Sequence, residues 1–167
     1  VAFYSAASNL VTGDTNGVND VFVRDLVSGT TTRVSVSSSG QEATGPTGFS
    51  SISPSISGDG RYVAFSSTAT NLVTGDTNAF SDVFVRDTLA GTTSRMSVSS
   101  ASVQSDGGSY SPRISSNGGL VAFESTATTL VAADTNGFSD VFLRDRQANT
   151  TTRVSVATSG AQGGLAS

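Results

Sequence analysis

Cysteine, histidine, lysine and tryptophan are all missing from this chain of 167 residues, and its nine basic residues are all arginine. The lack of cysteine excludes disulfide bonds and thiolate metal sites, and it fits an oxidising location outside the cytoplasm. The lack of histidine removes the commonest general base and transition-metal ligand. Because lysine is missing too, a serine nucleophile would have no usual base beside it.

Basic patches and long apolar runs are also missing. The formal net charge is −4 and the arginines are scattered, so the sequence predicts no nucleic-acid partner. No apolar run approaches the length of a membrane span and no amphipathic basic helix is visible, so we expect no membrane insertion. Hydrophobic residues make up 36% of the chain, which is enough for a folded core.

The sequence does contain a threefold repeat. The phrase that begins at Asp14 and ends at Asp25 returns from Asp76 to Asp87 and again from Asp134 to Asp145, at spacings of 62 and 58 residues. A period of this size indicates one supersecondary unit used repeatedly, each copy too small to bury its apolar faces alone.

Each complete copy reads as four short strands without a helix. In the middle copy these are residues 53–57, 61–67, 82–87 and 92–98, with a glycine turn at 58–60. The centre of the third strand is apolar on both faces, with Val83 and Val85 on one side and Phe84 on the other. A sandwich strand usually has one polar face, whereas a propeller blade is covered on both. We therefore predict an all-β fold of propeller blades, about three consecutive four-stranded antiparallel repeats.

The repeat units are expected at about 1–36, 52–98 and 110–156, within one propeller segment that covers residues 1–167. The first unit lacks its first strand, because Val1-Ala2-Phe3 matches Val63-Ala64-Phe65 of the second strand. A Gly/Ser-rich tail follows at 157–167. Eleven strands are fewer than a closed propeller needs, so the expected partners are further blades of a longer chain or of a second copy.

The unit resembles the TolB-like (WD-like) β-propeller repeat of bacterial proteins. The resemblance rests on Ser53-Pro54-Ser55-Ile56-Ser57-Gly58-Asp59-Gly60-Arg61-Tyr62-Val63-Ala64-Phe65 followed by Asp82-Val83-Phe84-Val85-Arg86-Asp87. It implies blades around a central channel, often six, in periplasmic, secreted or cell-surface bacterial proteins. It does not imply one function, since such blades serve both binding modules and accessory domains of enzymes.

The loop between the second and third strands carries a repeated pattern of oxygen ligands. Carboxylate, amide and carboxylate at positions 1, 3 and 7 suit a hard cation such as calcium. The alternative is that these side chains cap the turn by hydrogen bonds. Ala79 stands where the other copies have glycine, which argues against a turn that needs positive φ there. The candidate metal ligands are Asp14, Asn16, Asp20, Asp76, Asn78, Asp82, Asp134, Asn136 and Asp140.

Arginines recur in two positions of each copy, at Arg24, Arg86 and Arg144 and at Arg33, Arg95 and Arg153. They form either a ring of guanidinium groups for an anionic ligand or salt bridges between strands and blades. Glu42 and Glu124 could in principle join the aspartates as a catalytic carboxylate pair. The aspartates repeat in every copy, however, whereas an active site is one convergent set.

We therefore predict a non-catalytic module without a cofactor other than calcium, located in the periplasm, secreted or on the bacterial surface. It would bind a protein or glycan ligand, or act as a scaffold. The Ser-, Gly- and Thr-rich connections at 37–51 and 99–109 are the expected recognition loops. The alternatives are an architectural subunit of a surface assembly or filament, and an accessory propeller of a larger secreted enzyme.

Overall fold

Three antiparallel sheets form the protein in a computed structural model, which describes residues 1–46 and 50–164. Blade 1 contains β1 (Ala2–Ser5), β2 (Asp20–Arg24) and β3 (Thr31–Arg33). Blade 2 contains β4 (Ser51–Ile56), β5 (Tyr62–Ser67), β6 (Asp82–Asp87) and β7 (Thr92–Arg95). Blade 3 contains β8 (Ser109–Ile114), β9 (Leu120–Ser125), β10 (Asp140–Asp145) and β11 (Thr150–Arg153). Each sheet follows chain order.

This architecture confirms the predicted all-β blade repeats and the short first blade. Across the described ranges there is no helix, and so none that could span a membrane. β1 pairs with β2 in the register that β5 has with β6, Phe3 opposite Phe22 and Phe65 opposite Phe84. Blade 1 therefore begins at its second strand.

The first strands of blades 2 and 3 are edge strands with a bulge at proline. The register of β4 against β5 shifts between Ile52 and Ser55, around Pro54. β8 repeats this irregularity around Pro112. A bulge on an edge strand accommodates a residue that has no N–H to donate. These first strands face the neighbouring blades, since β4 lies against both β1 and β8.

The hydrophobic core lies between the sheets. One cluster joins Val21 and Val34 of blade 1 to Phe65 and Phe84 of blade 2. The second cluster repeats this arrangement between blades 2 and 3. The predicted apolar centre of β6 is confirmed, because Val83, Phe84 and Val85 are all buried. A strand buried on both faces is what stacking of blades requires.

Candidate functional site

The loops that carry the repeated aspartates lie at the same end of equivalent strands. Each loop joins the second strand of a blade to the third, and its last aspartate is the first residue of that third strand. The structure therefore brings the three predicted residues of each copy together. It places them in three separate clusters, one in each blade.

One arginine of the same blade bridges both aspartates in every cluster. Arg33 Nη1 lies 3.2 Å from Asp14 and 3.5 Å from Asp20. In blade 2 the distances from Arg95 Nη1 are 3.2 Å to Asp76 and 3.1 Å to Asp82. Blade 3 has distances of 3.0 and 3.3 Å from Arg153 to Asp134 and Asp140. The guanidinium thus relieves the repulsion between the two carboxylates.

The second aspartate accepts hydrogen bonds on both of its oxygens. In blade 2, Asp82 Oδ1 accepts from Ser97 Oγ at 2.5 Å and from Ser105 Oγ at 3.1 Å. Its Oδ2 accepts from Asn78 Nδ2 at 3.2 Å and from Arg95. The equivalent serine and asparagine donate in the same way to Asp20 and Asp140. This aspartate is completely buried in all three blades, so every lone pair needs such a partner.

The asparagine closes the turn with its other atom. Asn78 Oδ1 accepts from the backbone N–H of Phe80 at 3.1 Å, and Asn16 and Asn136 do the same for Val18 and Phe138. These are the turn-capping hydrogen bonds of the alternative interpretation. They coexist with the carboxylate pairs, and the prediction of calcium binding stays a prediction.

The inference drawn from Ala79 was wrong. Its φ is +57°, close to the +70° and +71° of Gly17 and Gly137 at the same position. The Asx turn and the strand that follows hold residue 79 in the left-handed region, whichever residue occupies it. This conformation is less favourable for an L-residue than the right-handed one by about 1–2 kcal/mol.

Burial dominates the electrostatics of the first aspartate. The Asp76 side chain is 3% exposed. Burial, and after it the charge of Asp82, raise the pKa of Asp76 from 3.8 to about 6. The pKa values of Asp14 and Asp134 are raised as well, with burial again the largest cause.

Blade 1 differs from the other two by an additional carboxylate, Glu42. Asp14, Asp20 and Glu42 each offer an oxygen within 4.8 Å of the others, and among the described residues only this group of three acids could hold a metal ion. Arg33 Nη1 lies 2.9 Å from Glu42, and Thr15 donates to the same carboxylate. Burial opposes ionisation of Glu42, but the hydrogen bonds from Thr15 and the charge of Arg33 outweigh it and lower its pKa.

Glu42 was not predicted as a member of this site. The equivalent residues are Gln104 and Gln162, whose amides bind Thr77 and Thr135 as Glu42 binds Thr15. Each lies 27 residues after its threonine, so alignment of the copies over that interval would have found the position. Glu124, the other candidate for a carboxylate pair, is exposed on β9 in blade 3.

The two arginine series have different roles. Arg33, Arg95 and Arg153 form salt bridges within their blades, as the salt-bridge alternative predicts, although not between blades. Arg86 and Arg144 instead donate to the backbone carbonyls of Ser37 and Ser99 in the preceding connection. The aspartate after each of these arginines caps the next turn, as Asp87 does for Leu89 and Ala90.

No family model matches the chain, and no curated protein does so either. Among solved structures, TolB from Acinetobacter baumannii superposes with a TM-score of 0.53 at 17% identity, covering 96% of this chain and 30% of that one. A protein assigned as TolB in Agrobacterium tumefaciens gives 0.49 at 20% identity, with 82% and 41% covered. The tricorn protease gives 0.44 at 9% identity, with 83% and 10% covered.

The chain therefore spans less than half the length of each of these proteins. At such low identity the likeness concerns the fold alone. The superposition on A. baumannii TolB covers 96% of the chain, so it includes nearly all of the three sheets. The chain has the TolB-like β-propeller fold.

Proposed function

We propose that this chain is a non-catalytic propeller module that acts in the periplasm, in the medium or on the surface of a bacterium and binds a glycan or protein ligand. A groove between blades 1 and 2 supports a binding role. It has a volume of about 640 Å³ and runs between the connection after β3 and the loop after β5. Eight of the eleven residues that line it carry a hydroxyl or an amide group: Ser37, Ser38, Ser39, Gln41, Thr70, Asn71, Thr74 and Thr93.

The equivalent groove between blades 2 and 3 is less polar. Ala101 and Ala132 line it at the positions of Ser39 and Thr74. The residue that corresponds to Gln41 is Val103, which is 57% exposed. The side chains of Ser39, Gln41 and Thr74 are therefore not required by the repeat, and they give the first groove hydroxyl and amide groups that the second groove lacks. Such groups recognise a ligand rich in hydroxyls by hydrogen bonds, which favours a glycan.

The carboxylates support the absence of catalysis. A general acid or base must have an oxygen or nitrogen that is free to exchange a proton with the substrate. The completely buried aspartates, of which Asp82 is the example, use both carboxylate oxygens to accept hydrogen bonds from their own blade. A group that is held in this way in every copy serves the fold.

A glycan microarray probed with the labelled protein tests the proposal. The double variant Ser39→Ala, Thr74→Ala gives the first groove the alanines that the second groove has at these two positions, and we expect it to lose the glycans that the unmutated protein retains. Thr152→Ala removes an exposed hydroxyl on β11 and serves as the matched control. If no glycan is retained, or the double variant retains the same set, the groove is not a glycan site.

A calcium site in blade 1 is a second candidate, favoured by the third carboxylate that Glu42 adds. Calcium takes six to eight oxygen ligands, so backbone carbonyls and water would complete the set. The ion would have to replace Arg33 Nη1, which now contacts all three acids. Affinity should therefore be modest, within the range of extracellular sites.

Thermal unfolding with added calcium tests this second candidate. At a concentration about ten times Kd, linkage predicts a stabilisation of about 1.4 kcal/mol, or a Tm rise of roughly 3–6 °C. Glu42→Gln makes blade 1 like the other two and should abolish the rise, whereas Glu124→Gln should not. An unchanged Tm at several millimolar calcium would leave the nine predicted ligands with a structural role only, in turn capping by the asparagines and salt bridges of the aspartates.

A further inference from the structure

A cavity of about 390 Å³ lies between β7 of blade 2 and the turn that follows β10 of blade 3. The connection after β7 contributes Ser102 to its lining, and blade 3 contributes Arg144, Arg146 and Asn149. Among the described residues that line it, none is acidic. We call it the arginine cavity. Its volume is in the range of sites for small organic molecules.

Three residues of the arginine cavity depart from the threefold repeat. Ser102 and Asn149 stand where the other two copies have glycine. Arg146 stands where the other copies have Leu26 and Thr88. A repeat by itself supplies the same residues in every blade. Polar residues that differ from the repeat and meet in one cavity therefore indicate a role that the repeat does not have.

The backbone conformation of Ser102 and Asn149 supports this interpretation. Their φ angles are +62° and +58°, in the region that Gly40 and Gly91 occupy at the equivalent positions. This region is unfavourable for an L-residue, less so for asparagine than for serine, and glycine would serve both turns as well. Residues held in this region cluster at functional sites. Unlike Ala79, both carry a polar side chain, and both line the same cavity.

Arg144 brings a buried positive charge to the cavity. It is 4% exposed. Its Nη1 donates to the carbonyl of Ser99 at 3.2 Å and to Thr151 Oγ1 at 3.1 Å, and its Nη2 donates to Asn149 Oδ1. In the described part of the chain the salt bridges are made by other arginines. Burial lowers the pKa of Arg144 more than the nearby Asp145 raises it, because a buried cation is unfavourable unless an anion compensates it.

Arg146 adds a second guanidinium two positions further along, which places it on the same side of the chain as Arg144. The guanidinium lies 4.2 Å from the centre of the Tyr62 ring, and its Nη1 donates to the carbonyl of Gly118 at 2.5 Å. That carbonyl is its one acceptor within residues 1–46 and 50–164, so its other N–H groups are left for a ligand. Arg95 also lines the cavity, but it is already paired with the aspartates of its own blade.

We propose that the arginine cavity binds a small organic anion, whose carboxylate, sulfate or phosphate group lies between the guanidinium groups of Arg144 and Arg146. Arginine recognises such groups by paired, charge-assisted hydrogen bonds. Asn149 holds the Arg144 side chain, and its Nδ2 lies 3.5 Å from Ser102 Oγ, so these two side chains extend the polar wall. Met96 also lines the cavity, which suits the carbon skeleton of an organic ligand.

The arginine cavity is separate from the groove between blades 1 and 2. Val73 and Thr74 lie beside both and line both. Arg146 and Asn149, in contrast, line only the arginine cavity. Substitutions of these two residues therefore test the anion site without altering the groove, and either proposal can fail while the other holds.

NMR titration of the isotope-labelled protein with sodium glucuronate, and separately with sodium phosphate, tests the proposal at constant ionic strength. We expect saturable shifts of the Arg146 Nε–H and of the backbone amides of Ser102 and Asn149. Glucose, the neutral counterpart of glucuronate, should not shift them. Arg146→Thr introduces the residue of blade 2 and should weaken binding by about tenfold or more. Arg113→Thr removes an exposed arginine from β8 with the same change in net charge, and should bind like the unmutated protein.

A second variant tests the two residues with positive φ. Ser102→Gly with Asn149→Gly gives both turns the glycines of the other copies, so it should weaken binding without lowering Tm. Unchanged affinity of this double variant would overturn the proposal. So would the absence of saturable shifts with either anion, equal shifts with glucose, or equal weakening by Arg146→Thr and Arg113→Thr, which would indicate attraction to the net charge alone.

Discussion

The raised pKa of Asp76 predicts that the protein loses stability as the pH rises through the mildly acidic range. Below about pH 3.8 the carboxyl is protonated in both the folded and the unfolded state. Between 3.8 and about 6 the folded state keeps a proton that the unfolded chain releases. Stability therefore falls with increasing pH in this window and levels off above it.

The amplitude follows from the size of the shift. A difference of about 2.2 between the two pKa values corresponds to about 3 kcal/mol in the free energy of unfolding. Asp76→Asn has no charge to bury, and its side-chain carbonyl still accepts a hydrogen bond from Arg95. We expect this variant to be as stable as the unmutated protein near pH 4 and up to about 3 kcal/mol more stable at pH 7.

Urea unfolding from pH 4 to pH 7 measures this difference. The raised pKa values of Asp14 and Asp134 should leave a smaller slope of the same sign in the variant. Asp87→Asn is the control, because the hydrogen bonds from Arg61 lower the pKa of Asp87 to about 2. The stability that Asp87 contributes is present above pH 3.8 and is lost below it, so its removal should leave the slope above pH 4 unchanged. Equal slopes for Asp76→Asn and the unmutated protein would refute the reasoning.

Three positions with positive φ give further predictions. Ala79→Gly should stabilise the protein by about 1 kcal/mol in urea unfolding, because φ is +57° there; a loss of stability would contradict this. Gly118→Ala should destabilise it by about 2–3 kcal/mol, since a Cβ would lie 2.2 Å from the Tyr62 ring at a φ of +71°. Gly60→Ala is its matched control in the equivalent turn, where a Cβ meets nothing within 4 Å, and should cost only about 1 kcal/mol.

The repeat period made the architecture predictable from the sequence. Strands recur at fixed spacing, and the apolar centre of residues 82–87 excluded a solvent-facing side. Both features depend on neighbours along a strand or across one sheet, which sequence spacing reports directly. The missing first strand of blade 1 followed from the same alignment of copies.

Contacts between blades were harder to predict, because they join residues that no local pattern connects. Arg86 meets the carbonyl of Ser37 across 49 positions of the chain. A recurrent arginine beside an aspartate suggests that the two form a salt bridge. Asp87 instead caps its own turn and pairs with Arg61, and Arg86 binds the neighbouring blade. The positive φ of Ala79 was not predicted, because the preference of alanine for negative φ was given more weight than the hydrogen bonds that fix the turn.

The three clusters differ in net charge, and this difference shows which of their residues the fold requires. In blades 2 and 3 two aspartates face one arginine, so each cluster keeps one negative charge. Burial of that charge is unfavourable, which is why the pKa of the first aspartate is raised. In blade 1, Glu42 leaves two negative charges around Arg33. The glutamines of the other blades make the corresponding hydrogen bonds to threonine without that charge. A glutamine is therefore sufficient for the fold at this position. The hydrogen bonds of the turn do not explain why blade 1 carries a charged glutamate, Glu42, instead.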